Sequence, residues 1–244
     1  MDLSTYTQKF NVNYSDVDSD NKMTNRGFLR LLQEVAGIHV DLIGFGLNSK
    51  DKTGIAWIIL NWKLKVFSRP KTNDAIIVKS WAKSKMPLYF YRNFEIYDND
   101  NNVIAIATSK WVIFDIFKKR ISKISDEVET NHPQLDKSVF TEKFNEKLVE
   151  PENSEFIADY KVQRRDIDTN HHVNNLNYID YALEVLPEEV YNNIKFENLE
   201  VMYKHEAKLG DTFSIYYSKT EQNEHIVTIK NKEDKKLHAI VKMY

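Results

Sequence analysis

The sequence predicts an α+β protein in which one architecture is written twice: a strand, a long helix, then four antiparallel strands. Three observations carry that reading. A polar, turn-forming segment opens into an apolar helical stripe at two places in the chain, near residues 15–43 and 164–186. Four runs with strand-like alternation follow each stripe, separated by turn residues. The two stretches also align with each other, residue against residue. A long helix lying against an antiparallel sheet is an α+β arrangement.

Taken in order, residues 6–14 alternate weakly and read as a first strand. The polar run Ser15 to Asn25 leads into a helix of about five turns, judged from the 3.6-residue period. Its stripe is Leu29, Leu32, Ala36, Val40 and Ile43, and it stops at Gly44 and Gly46. Ala56, Ile58, Leu60, Trp62, Leu64 and Val66 then alternate with a set that becomes Asn61, Lys63 and Lys65, so one long strand should have a wholly apolar face. Arg69–Asp74 is a turn. Further strands are expected at Ala75–Lys85, Tyr89–Asp98 and Val103–Phe117, with Asp98–Asn102 turning between the last two. From Asp126 to Asn153 the periodicity dissolves among polar residues, Pro133 and Pro151. The domains expected are therefore 1–125, a linker over 126–153, and 154–244. The second half opens with a strand at Phe156–Gln163. A helix with Leu176, Ile179, Leu183 and Leu186 on one face follows and is stopped by Pro187. Strands near 196–206, 211–220, 224–231 and 236–243 complete it.

At an offset of 150 positions, Asp16 meets Asp166, Asp18 meets Asp168, Asn25 meets Asn175 and Glu34 meets Glu184. Val17, Met23, Phe28 and Leu29 meet Ile167, Val173, Tyr178 and Ile179. Downstream, Leu64–Asp74 lies over Val201–Asp211 at an offset of 137, so the first copy holds about 13 extra residues, placed within Gly44–Gly54. The copies differ where polar chemistry is concentrated. Asn170, His172 and Glu206 of the second stand opposite Asp20, Lys22 and Arg69 of the first.

Composition bounds the function. A net charge of −2 argues against a nucleic-acid binder, and 42% hydrophobic residues describe a globular chain. With no cysteine, disulfides and thiolate catalysis are excluded. There is no N-terminal apolar core of a signal peptide and no 18-residue apolar run, so a cytoplasmic protein without a membrane partner is expected.

Asp168, Asn170 and His172 sit two apart just ahead of a helix, where unsatisfied N–H groups also point. Such residues before a helix are most often simple caps. An acid, an amide and an imidazole converging there can also polarise a carbonyl. Metal binding by His171, His172, Asp168 and Glu206 is disfavoured, because adjacent histidines rarely ligate together and the helical i, i+4 spacing is missing.

Strand, helix and four strands, twice over, is similar to the hot-dog fold in its tandem double form. Asp166-Ile-Asp-Thr-Asn-His-His-Val-Asn-Asn175, followed by Tyr203-Lys-His-Glu-Ala207 and Gly210-Asp211, resembles the acyl-ACP thioesterases of plants and bacteria. Ala56-Trp57, Ala107–Val112 and Arg120–Ile124 agree with it in the first half. The resemblance implies hydrolysis of the acyl–acyl-carrier-protein thioester to a free fatty acid, ending chain elongation, with a catalytic set of Asp168, Asn170, His172 and Glu206. A cysteine nucleophile, placed near the Glu206 position in some schemes for the family, is impossible here. The absence of a plastid transit segment points to a bacterial member. No cofactor is implied. The expected partner is an acyl carrier protein bearing a phosphopantetheine-linked chain, and hot-dog proteins often pair as homodimers.

On this reading the thioester carbonyl accepts from backbone N–H groups near Val173 and Asn174. Glu206 or Asp168, held in a poorly solvated pocket, acts as base. Glu206 would position water, His172 would bond it or the leaving sulfur, Asn170 would orient water or carbonyl, and Asp168 would hold Asn170 and the backbone in place. A covalent acyl–carboxylate anhydride remains the rival mechanism. The first half would bind the acyl chain between helix and sheet, along Leu32, Ala36, Ile58 or Leu60. The basic Phe117–Lys123 segment would meet the acidic carrier. The alternatives are an acyl-CoA thioesterase and a non-catalytic acyl sensor on the same fold.

Overall fold

The computed structural model describes residues 3–86, 88–142, 144, 147–193 and 196–244. The chain divides into two compact units, Met1–Phe144 and Asn145–Tyr244. The boundary falls inside the stretch expected as a linker, of which residues 143, 145 and 146 lie outside the described residues.

In the first unit, β1 (Thr5–Asn11) is followed by α1 (Asn25–Leu42) and the short α2 (Lys50–Thr53). Then come β2 (Ile55–Val66), β3 (Ala75–Met86), β4 (Tyr89–Tyr97), β5 (Val103–Asp115) and the short β6 (Arg120–Ser122). The sheet order is β1-β3-β4-β5-β2, every pair antiparallel, with β6 on β5. Thr24 caps α1, its hydroxyl accepting from Gly27 N at 2.9 Å. The helix lays Phe28, Leu29, Leu31, Leu32, Val35 and Ala36, all buried, against β1, β2 and β3. The extra residues of the first copy build α2.

One strand departs from its expected alternation. Ile59 pairs with Trp111 and Asn61 with Lys110, so Leu60 is the surplus residue of a β-bulge. A one-residue insertion exchanges the faces of everything on one side of it. Trp57 and Ile59 therefore share the helix-facing side with Trp62 and Leu64, while Ile58 turns outward and is 39% exposed. Leu32 and Ala36 lie where an acyl slot between helix and sheet would need them; Ile58 does not.

The segment expected as a linker folds onto the first unit over its first half. Ser125 caps α3 (Asp126–Asn131), accepting from Val128 N at 3.3 Å. Val128 is buried with Val40, Ile43, Phe45, Ala82, Phe90 and Ile113. Further on, Leu135 N donates to Ala82 O at 2.9 Å and the Trp81 indole to Lys137 O at 2.9 Å. Trp81, on the sheet face opposite the helix, is fully buried by this strap.

Arg92 of β4 is buried on the helix side of the sheet with no carboxylate partner among the described residues. It donates to His39 Nδ1 at 2.9 Å, Ser80 Oγ at 3.0 Å and His132 Nε2 at 2.6 Å. Accepting from a guanidinium fixes both imidazoles as neutral tautomers. His39 then donates its Nε2 proton to Leu3 O at 3.0 Å. Burial first, and Arg92 second, push His39 down to about 4 and move His132 further in the same direction.

The second unit repeats the plan. β7 (Glu155–Lys161), α4 (Asn177–Glu184), the short α5 (Glu188–Asn193), β8 (Asn198–Tyr203), β9 (Thr212–Lys219), β10 (His225–Asn231) and β11 (Leu237–Met243) follow in order. Its sheet runs β7-β9-β10-β11-β8, the same permutation as in the first unit. Tyr178, Ile179, Tyr181 and Ala182 are the buried face of α4, and the two tyrosines meet Phe213 with ring centroids 5.7 Å apart. A helix on an antiparallel sheet, in both units, is the tandem hot-dog arrangement.

Candidate active site

The polar motif occupies the connection from β7 to α4. A 3-10 turn at Arg164–Asp166 ends in a bridge between Ile167 and Val173, which pinches residues 168–172 into a closed loop. Asp168 holds that loop. Its N–H donates to His172 O at 2.8 Å, and its Oδ1 accepts from Asn170 N at 2.7 Å and His172 N at 3.4 Å. His171 carries the positive φ, 62°, that closes the turn.

The first copy has the same loop. Val17 bridges Met23, Asp18 N donates to Lys22 O at 2.9 Å, and Asp18 Oδ1 accepts from Asp20 N and Lys22 N, both at 2.9 Å. Asn21 carries the positive φ, 57°. Asp168 therefore does what Asp18 does: a short carboxylate satisfying the N–H groups of its own turn.

The copies part at the side chains around the loop. His172 Nε2 lies 3.3 Å from Glu206 Oε2, which brings together two residues 34 apart in sequence. Ala207 O accepts from Val173 N at 2.8 Å and so anchors the Glu206 segment beside the loop. Asn170 sits exposed at the loop tip, and Asp168 is turned to backbone rather than to His172 or Glu206. Of the four residues singled out from sequence, the fold thus pairs His172 with Glu206 and uses Asp168 as the frame between them and Asn170.

Two expectations change. Val173 N donates to Ala207 O and Asn174 N to Asp166 O, both at 2.8 Å. Those amides are already engaged and do not await a carbonyl. Glu206 has a 59% exposed side chain, so it does not sit in a poorly solvated pocket. The repeat explains the first point, because Met23 N and Thr24 N make the same bonds, to Pro70 O and Asp16 O, at 2.9 Å each.

Sequence reasoning passed over the tyrosines behind the loop. Tyr203 donates its hydroxyl to Asn175 O at 2.9 Å, where the first copy has Val66. Tyr178 replaces Phe28, and burial, followed by the Asp211 and Glu206 carboxylates, raises its phenol above the usual range. Both hydroxyls are gained only in the second copy. That difference between aligned halves was the available signal.

Family models match nearly the whole chain: Acyl-ACP thioesterase N-terminal domain over residues 4–131 and Acyl-ACP thioesterase C-terminal domain over residues 149–242. Oleoyl-acyl carrier protein thioesterase 1, chloroplastic, of Arabidopsis thaliana is 28% identical over 223 residues, covering 85% of this chain and 62% of the relative. Palmitoyl-acyl carrier protein thioesterase, chloroplastic, of Cuphea hookeriana is 27% identical over 83% of this chain and 52% of its own length. The chain therefore spans less than two thirds of these curated relatives. Among solved structures, an acyl-ACP thioesterase from Bacteroides thetaiotaomicron aligns with TM-score 0.88 at 22% identity, covering 100% of this chain and 99% of the other. The 12:0-ACP thioesterase from Umbellularia californica aligns with TM-score 0.84 at 16% identity over 100% and 97%. At such identities the structural likeness speaks for the fold.

Proposed function

The chain belongs to the acyl-ACP thioesterase family, and from that premise we propose that it hydrolyses acyl–acyl-carrier-protein thioesters to free fatty acid and carrier thiol. The observation that carries the reading is the His172–Glu206 pair at 3.3 Å. It stands where the other copy of the same loop has Lys22 and Arg69, two cations that cannot serve as a base.

Glu206 takes a proton from a water that His172 helps to orient, and the water oxygen adds to the thioester carbon. The carbonyl electron pair moves to oxygen. Its return breaks the C–S bond, and the proton held by Glu206 passes to the leaving thiolate. Asn170, at the loop tip, orients the water, and Asp168 keeps the loop closed. Because Glu206 is exposed in the free protein, the water exclusion that strengthens these interactions comes from the bound acyl–phosphopantetheine arm. Single-turnover hydrolysis in oxygen-18 water tests the direct route. Label in the fatty acid alone supports it, and label in an enzyme carboxylate refutes it in favour of an anhydride.

The β5–β6 hairpin is the proposed carrier contact. Phe117 and Ile121 are 65% and 53% exposed, flanked by exposed Lys118, Lys119, Arg120 and Lys123. Apolar anchors ringed by cations fit an acidic partner. Charge reversal at Lys118, Lys119 and Arg120 should raise KM for the acyl carrier and leave acyl-CoA turnover alone; unchanged carrier kinetics would refute the assignment. A cytoplasmic homodimer is proposed on resemblance alone, with sedimentation as its check. Among the described residues no helix is long and apolar enough to cross a membrane.

A further inference from the structure

Asn25 and Asn175 hold the same place in the two copies, between the bridge that closes the loop and the helix that follows. Their side chains have different surroundings. In the first copy, Arg69 donates to Met23 O and to Asn25 Oδ1, each at 2.7 Å. Its guanidinium fills the space between the end of the loop and the asparagine amide. In the second copy the matching residue is Glu206, shorter by two atoms and turned to His172. Among the described residues no cation bonds Val173 O, and the Asn175 side chain has no hydrogen-bond partner.

Several neighbouring groups are engaged. Asn174 Oδ1 accepts from Leu176 N at 2.9 Å, and the backbone amides of Val173 and Asn174 are tied to Ala207 O and Asp166 O. The Asn175 backbone is itself held, its carbonyl accepting from the buried Tyr203 hydroxyl. An amide on a fixed backbone, idle beside a His–Glu pair, is a preorganised donor of the kind that stabilises developing charge. Asp168 and Glu206, as carboxylates, only accept.

We propose that Asn175 is a catalytic residue whose Nδ2 hydrogens donate to the thioester oxygen in the space that Arg69 closes in the first copy. The proposal rests on the thioesterase reading above. Asn175 takes no proton: as water adds and the carbonyl pair moves to oxygen, the amide hydrogen bond to that oxygen shortens and strengthens, then relaxes when the C–S bond breaks. The first copy is inert on this view because it is plugged as well as stripped of base.

The test is thiol release from an acyl carrier by the full chain, with Asn175→Ala, Asn175→Asp and the first-copy control Asn25→Ala. Removing one oxyanion donor lowers kcat by about 10²–10³-fold, and Asn175→Ala should show that loss with KM and melting temperature little changed. Asn175→Asp keeps shape and acceptor but not the donor, so its kcat should fall as far. Its added charge beside Glu206 and His172 should also shift the acid limb of the kcat–pH profile upward. Asn25→Ala should leave kcat unchanged. Full kcat in Asn175→Ala or Asn175→Asp, with active wild type, would overturn this role and leave the thioesterase reading standing. A wild type that releases no thiol from any acyl carrier or acyl-CoA would overturn both.

Discussion

Lowering the pH from 7.5 to 5 should destabilise the first unit through the Arg92 cluster. His39 and His132 accept hydrogen bonds from Arg92 at 2.9 and 2.6 Å, so protonating either imidazole removes an acceptor and places like charges in contact. The unfolded chain binds these protons near the ordinary histidine value of about 6.5, whereas folded His39 waits until about 4. Between those values the unfolded state holds more protons. Stability is thus fully present above about 6.5 and is lost as pH falls toward the folded value. At pH 5 His39 alone should contribute a loss of about 2 kcal/mol, and His132, displaced further, a similar amount. Together that is a large share of the 5–15 kcal/mol that stabilises a typical domain. All 4 tryptophans, Trp57, Trp62, Trp81 and Trp111, lie in the first unit. Tryptophan fluorescence during urea titration therefore reports this unit and not His225 or His238 of the second. The midpoint should fall steeply between pH 6.5 and 5, where carboxylates remain ionised. It should fall less in Arg92→Met, where the like charge is gone while burial, the larger cause, remains. A midpoint flat across that window, or an equal slope in Arg92→Met, would refute the reasoning.

Other outcomes follow from the paired copies. Asp18→Ala and Asp168→Ala each lose a carboxylate that closes its loop, so both should destabilise by about 1–2 kcal/mol in denaturant titration, but only Asp168→Ala should slow hydrolysis. Glu206→Arg should recreate the Arg69 plug, with a guanidinium reaching Val173 O and Asn175 Oδ1. Turnover should vanish while melting temperature holds or rises, and a destabilised variant would contradict the equivalence of the sites. Gly27→Ala should destabilise the first unit by about 1–3 kcal/mol, because the added Cβ would stand 2.6 Å from Asp16 O; an unchanged urea midpoint would show that the contact relaxes freely.

The order of strands and helices was legible because every buried face recurs at its own period, and the 150-residue offset aligned Asp18 with Asp168 before any coordinates did. The frame of the site was legible for the same reason. What escaped were features without a period. The bulge at Leu60 inserts one residue into an otherwise regular alternation and turns Ile58 outward. The 133–142 strap looks like linker because its hold on the sheet comes through isolated contacts, Lys137 O under Trp81 and the pairs of Lys137 with Glu95 and Glu142 with Lys63, that recur at no period. Val173 and Asn174 looked like free donors at a helix start, and only the fold shows carbonyls from distant segments reaching them. Asn175 stands opposite an identical residue, Asn25, so comparing the copies did not single it out. Its difference lies in the partner, Arg69 in one copy and Glu206 in the other.

The most direct test of the central claim is thiol release by the purified protein from a chain-length series of acyl carriers and the matching acyl-CoAs, with Glu206→Ala alongside. Carrier-dependent release that exceeds the rate on acyl-CoA and disappears in Glu206→Ala is the predicted result. Tight acyl binding without turnover, or release undiminished in Glu206→Ala, would contradict it.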